Sequence, residues 1–297
     1  MIKNKKIKFG SALLSLLRLV IIFGLAFIIL KPFVYKILMS FMHPDDLLDS
    51  TVWLVPRIGS VYYWQQAFEQ MNLPASLINT ASLSIIVGIL QVISCLMIGY
   101  GLARFKFKGV NFAFFVVIVI MLVPVQVISI ARYLDFNYFN FFGKIISLTD
   151  TFWPLIILSA TGLGIKQGLY IYMFREFFKS LPVSLEEAAY IDGANPISTF
   201  FRIMLPNAKT TMATVFLFSF CWQWTDTVYS SLYFNELPVF ANVIDAMYIR
   251  VGLNADMLGT NILRNAAAML VMIPLIVLFV FCQKLLVKSM ALSGLAN

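Results

Sequence analysis

Charged residues are scarce in this sequence: 12% of its 297 residues are Asp, Glu, Lys or Arg, whereas 61% are apolar. An ordinary soluble domain carries about 25% charged residues. An apolar excess of this size, spread along the whole chain, is more than a soluble core absorbs. The composition therefore excludes an ordinary soluble domain and predicts a polytopic membrane protein.

Residue types that bind metals or perform chemistry are also scarce. The chain has one histidine, His43, and three cysteines that stand far apart in apolar stretches. Neither a disulfide framework nor a metal site is indicated by this spacing. The sequence contains no nucleophile motif and no G-x-x-x-x-G-K-[ST] phosphate loop, so we expect no catalytic residue, no metal and no bound cofactor. A membrane-embedded enzyme has little support, and any ATP-driven step requires another chain.

Positive charge is in excess, with 22 Lys and Arg against 14 Asp and Glu. No basic stripe interleaves with the many aromatic residues, as a nucleic-acid surface would require. The charges lie mainly between the apolar runs. We therefore expect a lipid environment and no nucleic-acid partner.

Six apolar runs are long enough to be candidate transmembrane helices. The first follows a basic start and lacks a small-residue cleavage pattern, so it is interpreted as an uncleaved helix. The predicted fold class is an all-α polytopic membrane protein with about six spans, at about 12–40, 79–103, 110–131, 152–174, 210–233 and 263–286.

The distribution of Lys and Arg predicts the orientation, because basic residues that flank spans stay in the cytoplasm. One set of connecting segments holds 13 of the 22, and five lie within the runs. The opposite, outer set holds four: Arg57, Arg132, Lys144 and Arg250. Both termini are therefore predicted to be cytoplasmic. The expected organisation is a basic N-terminus at 1–11, a first helix at 12–40, an external loop at 41–78, and a five-helix core at 79–297 that includes a cytoplasmic loop at 175–209 and a tail at 287–297.

The loop between the fourth and fifth runs has clear helix signals. Ser184 and Glu187 form a capping-box pattern, and Glu186 adds negative charge at the positive end of the helix. Gly193 is suited to a left-handed stop. Asn195 and Pro196 then favour the start of a second short helix that continues to Pro206. These signals predict two short helices that project from the membrane. Capping chemistry alone is more typical of an ordinary connecting loop.

The full pattern of this loop, Glu187-Ala188-Ala189-x-x-Asp192-Gly193-Ala194 followed by Phe200, Ile203, Leu205 and Pro206, resembles the cytoplasmic EAA loop of ABC-importer permeases. Weaker similarities lie at Arg104–Gly109, at Pro124-Val125-Gln126, at Trp224-Thr225-Asp226 and in the tail. Together they are similar to the carbohydrate-uptake, MalG-like branch of that family. Thr225 replaces the usual Asn, and the tail lacks the common terminal basic residue.

The resemblance implies a type I ABC-importer permease in a bacterial or archaeal cytoplasmic (inner) membrane. Its implied partners are a homologous second permease, two ATPase subunits that carry ATP and Mg, an external solute-binding protein, and a sugar or oligosaccharide that moves by alternating access. The residues implied to couple to the ATPase are Glu186, Glu187, Ala188, Ala189, Asp192, Gly193 and Ala194.

Candidate substrate contacts lie in the third and fifth runs. A sugar needs flat aromatic faces and polar hydrogen-bond partners, and the candidates are Gln126, Trp222, Trp224, Asp226 and Tyr229. Two alternatives stay open: Asp226 in a cap or an interfacial belt, and Gln126 satisfying the carbonyl freed by Pro124. For Lys31 and Lys166, structural pairing is favoured over substrate contact.

The outer segment at 234–262 corresponds in the family to a loop that reaches toward the binding protein. The implied contact residues are Pro238, Asn242, Asp245 and Tyr248. Two alternative functions remain: a secondary transporter driven by an ion gradient, which explains the composition but not the EAA loop, and an ABC permease for a solute other than a sugar.

Overall fold

The computed structural model describes residues 2–52, 55–252 and 257–294, and most of them are helical. The chain divides into two compact units, one formed by Met1–Gln70 with Met247–Ile273 and the other by Met71–Ala246 with Pro274–Asn297. The first unit contains α1 (Ile2–Met39), α2 (Pro44–Leu48) and α3 (Tyr62–Gln70). Helices α14 (Phe240–Gly252) and α15 (Met257–Gly294) contribute residues to both units.

The remaining elements belong to the second unit. They are α4 (Leu73–Arg104), α5 (Val110–Leu122), α6 (Val125–Asn137), β1 (Phe139–Phe141), β2 (Lys144–Ile146), α7 (Trp153–Thr161), α8 (Gln167–Ser180), α9 (Ser184–Ile191), α10 (Pro196–Thr199), a π-helical turn (Phe200–Met204), α11 (Leu205–Asn207), α12 (Lys209–Trp224) and α13 (Val228–Tyr233).

Among the described residues, three helices are long and apolar enough to cross a membrane: Leu13–Met39 in α1, Leu73–Arg104 in α4 and Gly259–Gln283 in α15. A fourth candidate is the pair α5 and α6, which bends by 99° at its break. Three of the six predicted runs are thus single helices. The other three, 110–131, 152–174 and 210–233, differ from the expectation of one helix per run, because each contains two helices.

Local chemistry explains two of these breaks. Pro124 has no amide hydrogen and pushes the preceding residue out of the helical region, and Val123 is indeed extended, with ψ 120°. Gly162 ends α7 with φ +85°, a left-handed conformation that glycine adopts without strain. Helix α12 ends before Thr225, and α13 begins three residues later.

The second unit also contains a β-hairpin, which corrects the all-α prediction. Strands β1 and β2 pair antiparallel, with Phe139 opposite Ile146 and Phe141 opposite Lys144. Phe142 and Gly143 form the two-residue turn with φ +50° and +88°, the signs that a hairpin turn matching the strand twist requires. Asn140 Oδ1 accepts the Gly143 amide hydrogen at 2.8 Å, which fixes the turn.

Helix α4 lies at the centre of the second unit, packed against α7, α8 and α12. One buried cluster surrounds its second half, and another its first half. At Gly99 a Cβ would stand 2.6 Å from Cβ of Phe174 and 3.0 Å from the amide nitrogen of Arg175. The two helices therefore approach as closely as they do because residue 99 has no side chain.

Candidate functional site

The loop helix α9 begins differently from the prediction. Val183, with φ −64° and ψ −28°, precedes the helix, and no side chain caps it. The amides of Glu186 and Glu187 instead donate to the carbonyl oxygen of Val183, at 3.0 and 3.1 Å. The predicted capping box is therefore wrong. Ser184 is already the first residue of the helix, and the Glu187 amide that its side chain was expected to accept from is bonded to Val183 instead.

The end of α9 confirms the prediction. Gly193 adopts φ +82°, and its amide donates to the carbonyl of Tyr190 at 3.0 Å. The amide of Ala194 reaches the carbonyl of Ala189 at 2.9 Å. This pair of bonds is a Schellman motif, which satisfies the last carbonyls of the helix.

The second short helix also begins as predicted. Asn195 Oδ1 accepts the Ser198 amide hydrogen at 2.7 Å, and Pro196 occupies the first turn. The helix continues through the π-helical turn to α11, where Phe200 packs on the ring of Tyr100 with 4.8 Å between centroids. The predicted pair of helices in the 175–209 loop is therefore present.

Glu186 turns inward, toward the end of α4. It is only 8% exposed, and its Oε1 accepts a hydrogen bond from the hydroxyl of Tyr100 at 3.1 Å. Its Oε2 lies 3.6 Å from Nε of Arg104, and Nη2 of the same arginine donates to the Leu181 carbonyl at 2.8 Å. These contacts attach the base of the loop to the last turns of α4.

The other coupling candidates divide by burial. Ala189 is buried and Ala194 is half-buried, whereas Glu187, Ala188, Asp192 and Gly193 are exposed. Two large apolar side chains lie in the same loop, Ile191 with 86% and Ile197 with 70% of its surface exposed. The loop therefore presents a mixed acidic and apolar surface. We call this surface, formed by Glu187, Ala188, Ile191, Asp192 and Ile197, the loop surface.

A cavity of about 660 Å³ lies in the second unit where the broken runs are interrupted. It is lined by the ends of α5 and α6 around Pro124, by residues 163–168 between α7 and α8, and by residues 225–229 at the break between α12 and α13. Of the substrate candidates, Gln126, Trp222, Asp226 and Tyr229 line it. Trp224 does not: it is buried between Phe220 and Phe240, with 5.4 Å between ring centroids on both sides.

Asp226 acts as a helix cap inside this cavity. Its Oδ1 accepts the amide hydrogen of Tyr229 at 3.2 Å, and its Oδ2 accepts the amide and hydroxyl hydrogens of Ser230 at 2.7 and 2.9 Å. These bonds satisfy free amides at the start of α13. The capping alternative considered from the sequence is therefore observed.

Two cations, Lys166 and Arg132, also line the cavity. Neither was predicted from the sequence to lie there. Nζ of Lys166 stands 4.8 Å from the ring centroid of Trp222. Nη1 of Arg132 donates to the hydroxyl of Tyr229, and its guanidinium carbon lies 5.7 Å from that ring. Arg132 was assigned to an outer segment, and Lys166 was interpreted as structural. For Lys166 the available signal was a basic residue next to the glycines of a helix break; Arg132 lies inside α6 and had no such signal.

A polar network holds the break beside Lys166. Nε2 of the buried Gln167 donates to Oγ of Ser94 and to the carbonyl of Ser159, both at 2.8 Å, and its Oε1 accepts from the Gly164 amide. A Cβ on Gly164 would stand 2.7 Å from this Oε1. The close packing fixes the segment that carries Lys166 into the cavity.

The outer segment is held by backbone and amide contacts. Asn242 Nδ2 donates to the Leu237 carbonyl at 2.6 Å, and the Pro238 carbonyl accepts from Asn79 Nδ2 at 2.9 Å. Two of the binding-protein candidates thus have structural partners. The side chains of the other two, Asp245 and Tyr248, lie outside the described part of the structure.

Asp150 fixes the neighbouring loop. Its Oδ1 accepts amide hydrogens from Asn235 at 2.5 Å and from Glu236 at 2.8 Å. Partial burial by itself raises the pKa of this carboxyl group, but the backbone N–H donors outweigh it, so the pKa of Asp150 lies below its usual value.

Comparison with known proteins identifies the group to which these features correspond. Residues 95–292 match the family model described as "binding-protein-dependent transport system inner membrane component". The chain is 26% identical over 275 residues to the arabinooligosaccharides transport system permease protein AraQ of Halalkalibacterium halodurans, which covers 91% of this chain and 92% of the relative. It is 25% identical over 280 residues to the polygalacturonan/rhamnogalacturonan transport system permease protein YtcP of Bacillus subtilis, covering 91% and 93%.

A solved structure has the same fold. The match is to a chain of a bacterial ABC transporter involved in the import of the acidic polysaccharide alginate, with a TM-score of 0.72. The alignment covers 93% of this chain and 97% of that chain, at 18% sequence identity.

Proposed function

Because this chain belongs to the family of binding-protein-dependent transport system inner membrane components, we propose that it forms half of the pore of an ATP-driven importer for a sugar or oligosaccharide. It is a multi-pass protein of the inner membrane, and its family is one of transport permeases rather than enzymes. The two relatives described above are named as permeases for arabinooligosaccharides and for polygalacturonan/rhamnogalacturonan. They do not favour the ion-gradient alternative.

The observation that carries the proposal is the loop surface beside the buried Glu186. Large exposed apolar side chains that share one surface, here Ile191 and Ile197, are typical of a site that binds a partner. Glu187 and Asp192 add acidic groups that suit a basic groove. We assign this surface to a cytoplasmic ATPase subunit, which would carry ATP and Mg, while this chain binds neither.

The contacts of Glu186 transmit movement of the loop to helix α4. When the ATPase pair closes and shifts α9, the shift reaches Tyr100 and Arg104 and therefore the end of α4. Helix α4 packs along α8 and α12. Helix α8 begins at the cavity, and α12 ends beside it. The cavity is thereby mechanically connected to the loop, as alternating access requires.

The broken runs are consistent with six crossings. Non-helical backbone within a bilayer is tolerated where it lines a cavity, and residues of all three breaks line this one. We therefore count each broken run as one crossing, with both termini in the cytoplasm. A homologous permease would supply the other half of the pore.

The cavity has the groups that a sugar needs. Trp222 and Tyr229 offer aromatic faces, and Gln126 offers an amide. Trp224, in contrast, stabilises the core beside the cavity. An external binding protein would deliver the sugar to the outer segment that includes Pro238, Asn242, Asp245 and Tyr248.

The coupling role is tested with Glu187→Lys in the importer expressed with its partner subunits. The substitution reverses the charge of an exposed side chain, so we expect normal membrane insertion but loss of ATPase co-purification and of uptake. Glu69→Lys is the matched control, because Glu69 is also exposed and belongs to the segment predicted to be an external loop. Undiminished assembly and transport in Glu187→Lys would contradict the assigned coupling role.

A further inference from the structure

We propose that the cavity binds the carboxylate groups of an acidic oligosaccharide, one that contains uronic acid units, through Lys166 and Arg132. The inference rests on the proposed function of a sugar importer and adds the charge of the sugar. It is argued from the charges of the cavity itself.

The charge of the cavity lining is unbalanced. Three ionisable groups of formal charge line it: Lys166 and Arg132 are cationic, and Asp226 is anionic. Within the described ranges, neither cation has a carboxylate oxygen within 4.0 Å. A cation at membrane depth is costly unless it meets water or an anionic partner, so the cavity favours an anionic occupant.

Asp226 forms no ion pair within 4.0 Å with either cation; its oxygens accept from the start of α13 instead. Oδ1 accepts from the Tyr229 amide, and Oδ2 accepts from both the amide and the hydroxyl of Ser230. The carboxylate faces the positive end of α13 and stabilises its free amides. Lys166 and Arg132 therefore keep donors free for a ligand.

Each cation lies beside an aromatic ring. Lys166 Nζ is 4.8 Å from the Trp222 centroid, and Arg132 contacts the hydroxyl of Tyr229 with one of its five N–H donors. A uronic acid unit has the complementary pair of features, an apolar ring face and a carboxylate. The ring can pack on the aromatic side chain while the carboxylate accepts charge-assisted hydrogen bonds from the cation.

The inference is tested by uptake into proteoliposomes that contain the complete importer, its binding protein and ATP. The two probes are trigalacturonate and its methyl ester, which has the same sugar chain without carboxylate charge. Each variant is measured with both probes, and the ratio of the two uptake rates is compared with that of the wild type. Because the binding protein is the same throughout, its own preference cancels in this comparison.

We expect the wild type to import trigalacturonate faster than the ester. Lys166→Gln and Arg132→Gln should each lower trigalacturonate uptake about tenfold, the order expected for one charge-assisted contact. Uptake of the ester should stay within about twofold. Lys166→Arg should retain more trigalacturonate uptake than Lys166→Gln, and Lys144→Gln, an exposed cation in the hairpin, should leave the ratio unchanged.

Four results would overturn the inference: an unchanged ratio in both Gln variants, wild-type uptake of the ester but not of trigalacturonate, loss of the second permease from the purified Gln variants, or wild-type uptake of a neutral oligosaccharide but of neither probe. The third would show that the cations pair with carboxylates of that subunit. Failure of the proposed function is distinct, because the wild type would then show no ATP-dependent uptake of a neutral arabino- or galactooligosaccharide either.

Discussion

The hydroxyl of Tyr100 donates a hydrogen bond to Oε1 of Glu186 across 3.1 Å, joining the last turns of α4 to the first turn of α9. The next residue, Glu187, is exposed. Two adjacent glutamates thus differ in burial and in partners. One positions the loop, and the other belongs to the loop surface.

The burial of Glu186 predicts a difference in stability between these two residues. Glu186→Ala removes the acceptor of the Tyr100 hydroxyl and the carboxylate beside Arg104, and it should lower the free energy of unfolding by about 1–3 kcal/mol. Glu187→Ala should change it by about 0.5 kcal/mol or less, since the side chain is exposed. Thermal unfolding of the purified chain in detergent, followed by tryptophan fluorescence, measures both. Equal melting temperatures for the two variants would refute the positioning role.

Gly99 predicts a packing limit between α4 and α8. In Gly99→Ala the new Cβ meets Cβ of Phe174 and backbone atoms of α8, so we expect a loss of about 1–3 kcal/mol from overpacking. Gly101→Ala is the matched control in the same helix, because its nearest contact is an ordinary 3.9 Å. That change should be neutral or stabilising by up to about 1 kcal/mol, since alanine favours a helix. A melting temperature of Gly99→Ala at or above that of Gly101→Ala would show that the helices separate freely.

The cap formed by Asp226 predicts that its acceptor oxygens matter more than its charge. Asp226→Ala removes the bonds to the Tyr229 and Ser230 amides and should destabilise the protein by about 0.5–2 kcal/mol. Asp226→Asn keeps one acceptor oxygen and should retain most of the stability. Melting temperatures test this, and sugar uptake tests recognition separately. A large change in substrate affinity in Asp226→Asn at unchanged stability would instead assign this carboxylate to the substrate.

The lowered pKa of Asp150 predicts a pH-dependent contribution to stability. Its folded-state pKa lies below the unfolded value of about 3.9. The ionised group therefore stabilises the folded state above that unfolded pKa, and the contribution is lost as the pH falls through the folded pKa. The wild type should melt above Asp150→Asn at pH 7, and the difference should shrink progressively as the pH is lowered below about 4.

The exposed Asp135 provides a control with the same change of charge. Asp135→Asn should melt close to the wild type both at pH 7 and below about pH 4. A constant difference between wild type and Asp150→Asn across this pH range would show that the loop does not depend on the ionised carboxylate.

Much of the fold could be predicted from the sequence because the signals are local. The long apolar runs of α1, α4 and α15 predicted helices, and Gly193 and Asn195 predicted the end of one loop helix and the start of the next. The predicted capping box is absent although Ser184 and Glu187 have the right spacing. The helix already begins at Ser184, and the carbonyl of Val183 accepts the amide hydrogens of Glu186 and Glu187. The hairpin was missed because its turn, Phe142-Gly143, lacks the usual Asn-Gly or Asp-Gly signal.

The candidate site was less predictable. Gln126, Trp222, Asp226 and Tyr229 were identified by residue type, and the structure brings them to one cavity. Trp224 has the same chemistry as Trp222 but points into the core. Arg132 and Lys166 were not assigned to the site, because their place in it depends on helix breaks that bring distant segments together.

The sequence by itself determined that the chain belongs in a membrane and that its loop resembles an ATPase-coupling loop, because apolar content and motif spacing are properties of the chain alone. Only the tertiary structure decided which of two adjacent glutamates is buried. The tertiary structure also decided that Trp222 lines the cavity while Trp224 lies in the core, and that Lys166 and Arg132 line the same cavity. These outcomes depend on packing between helices that are distant in sequence, and a side chain's partners are set by that packing rather than by its neighbours along the chain.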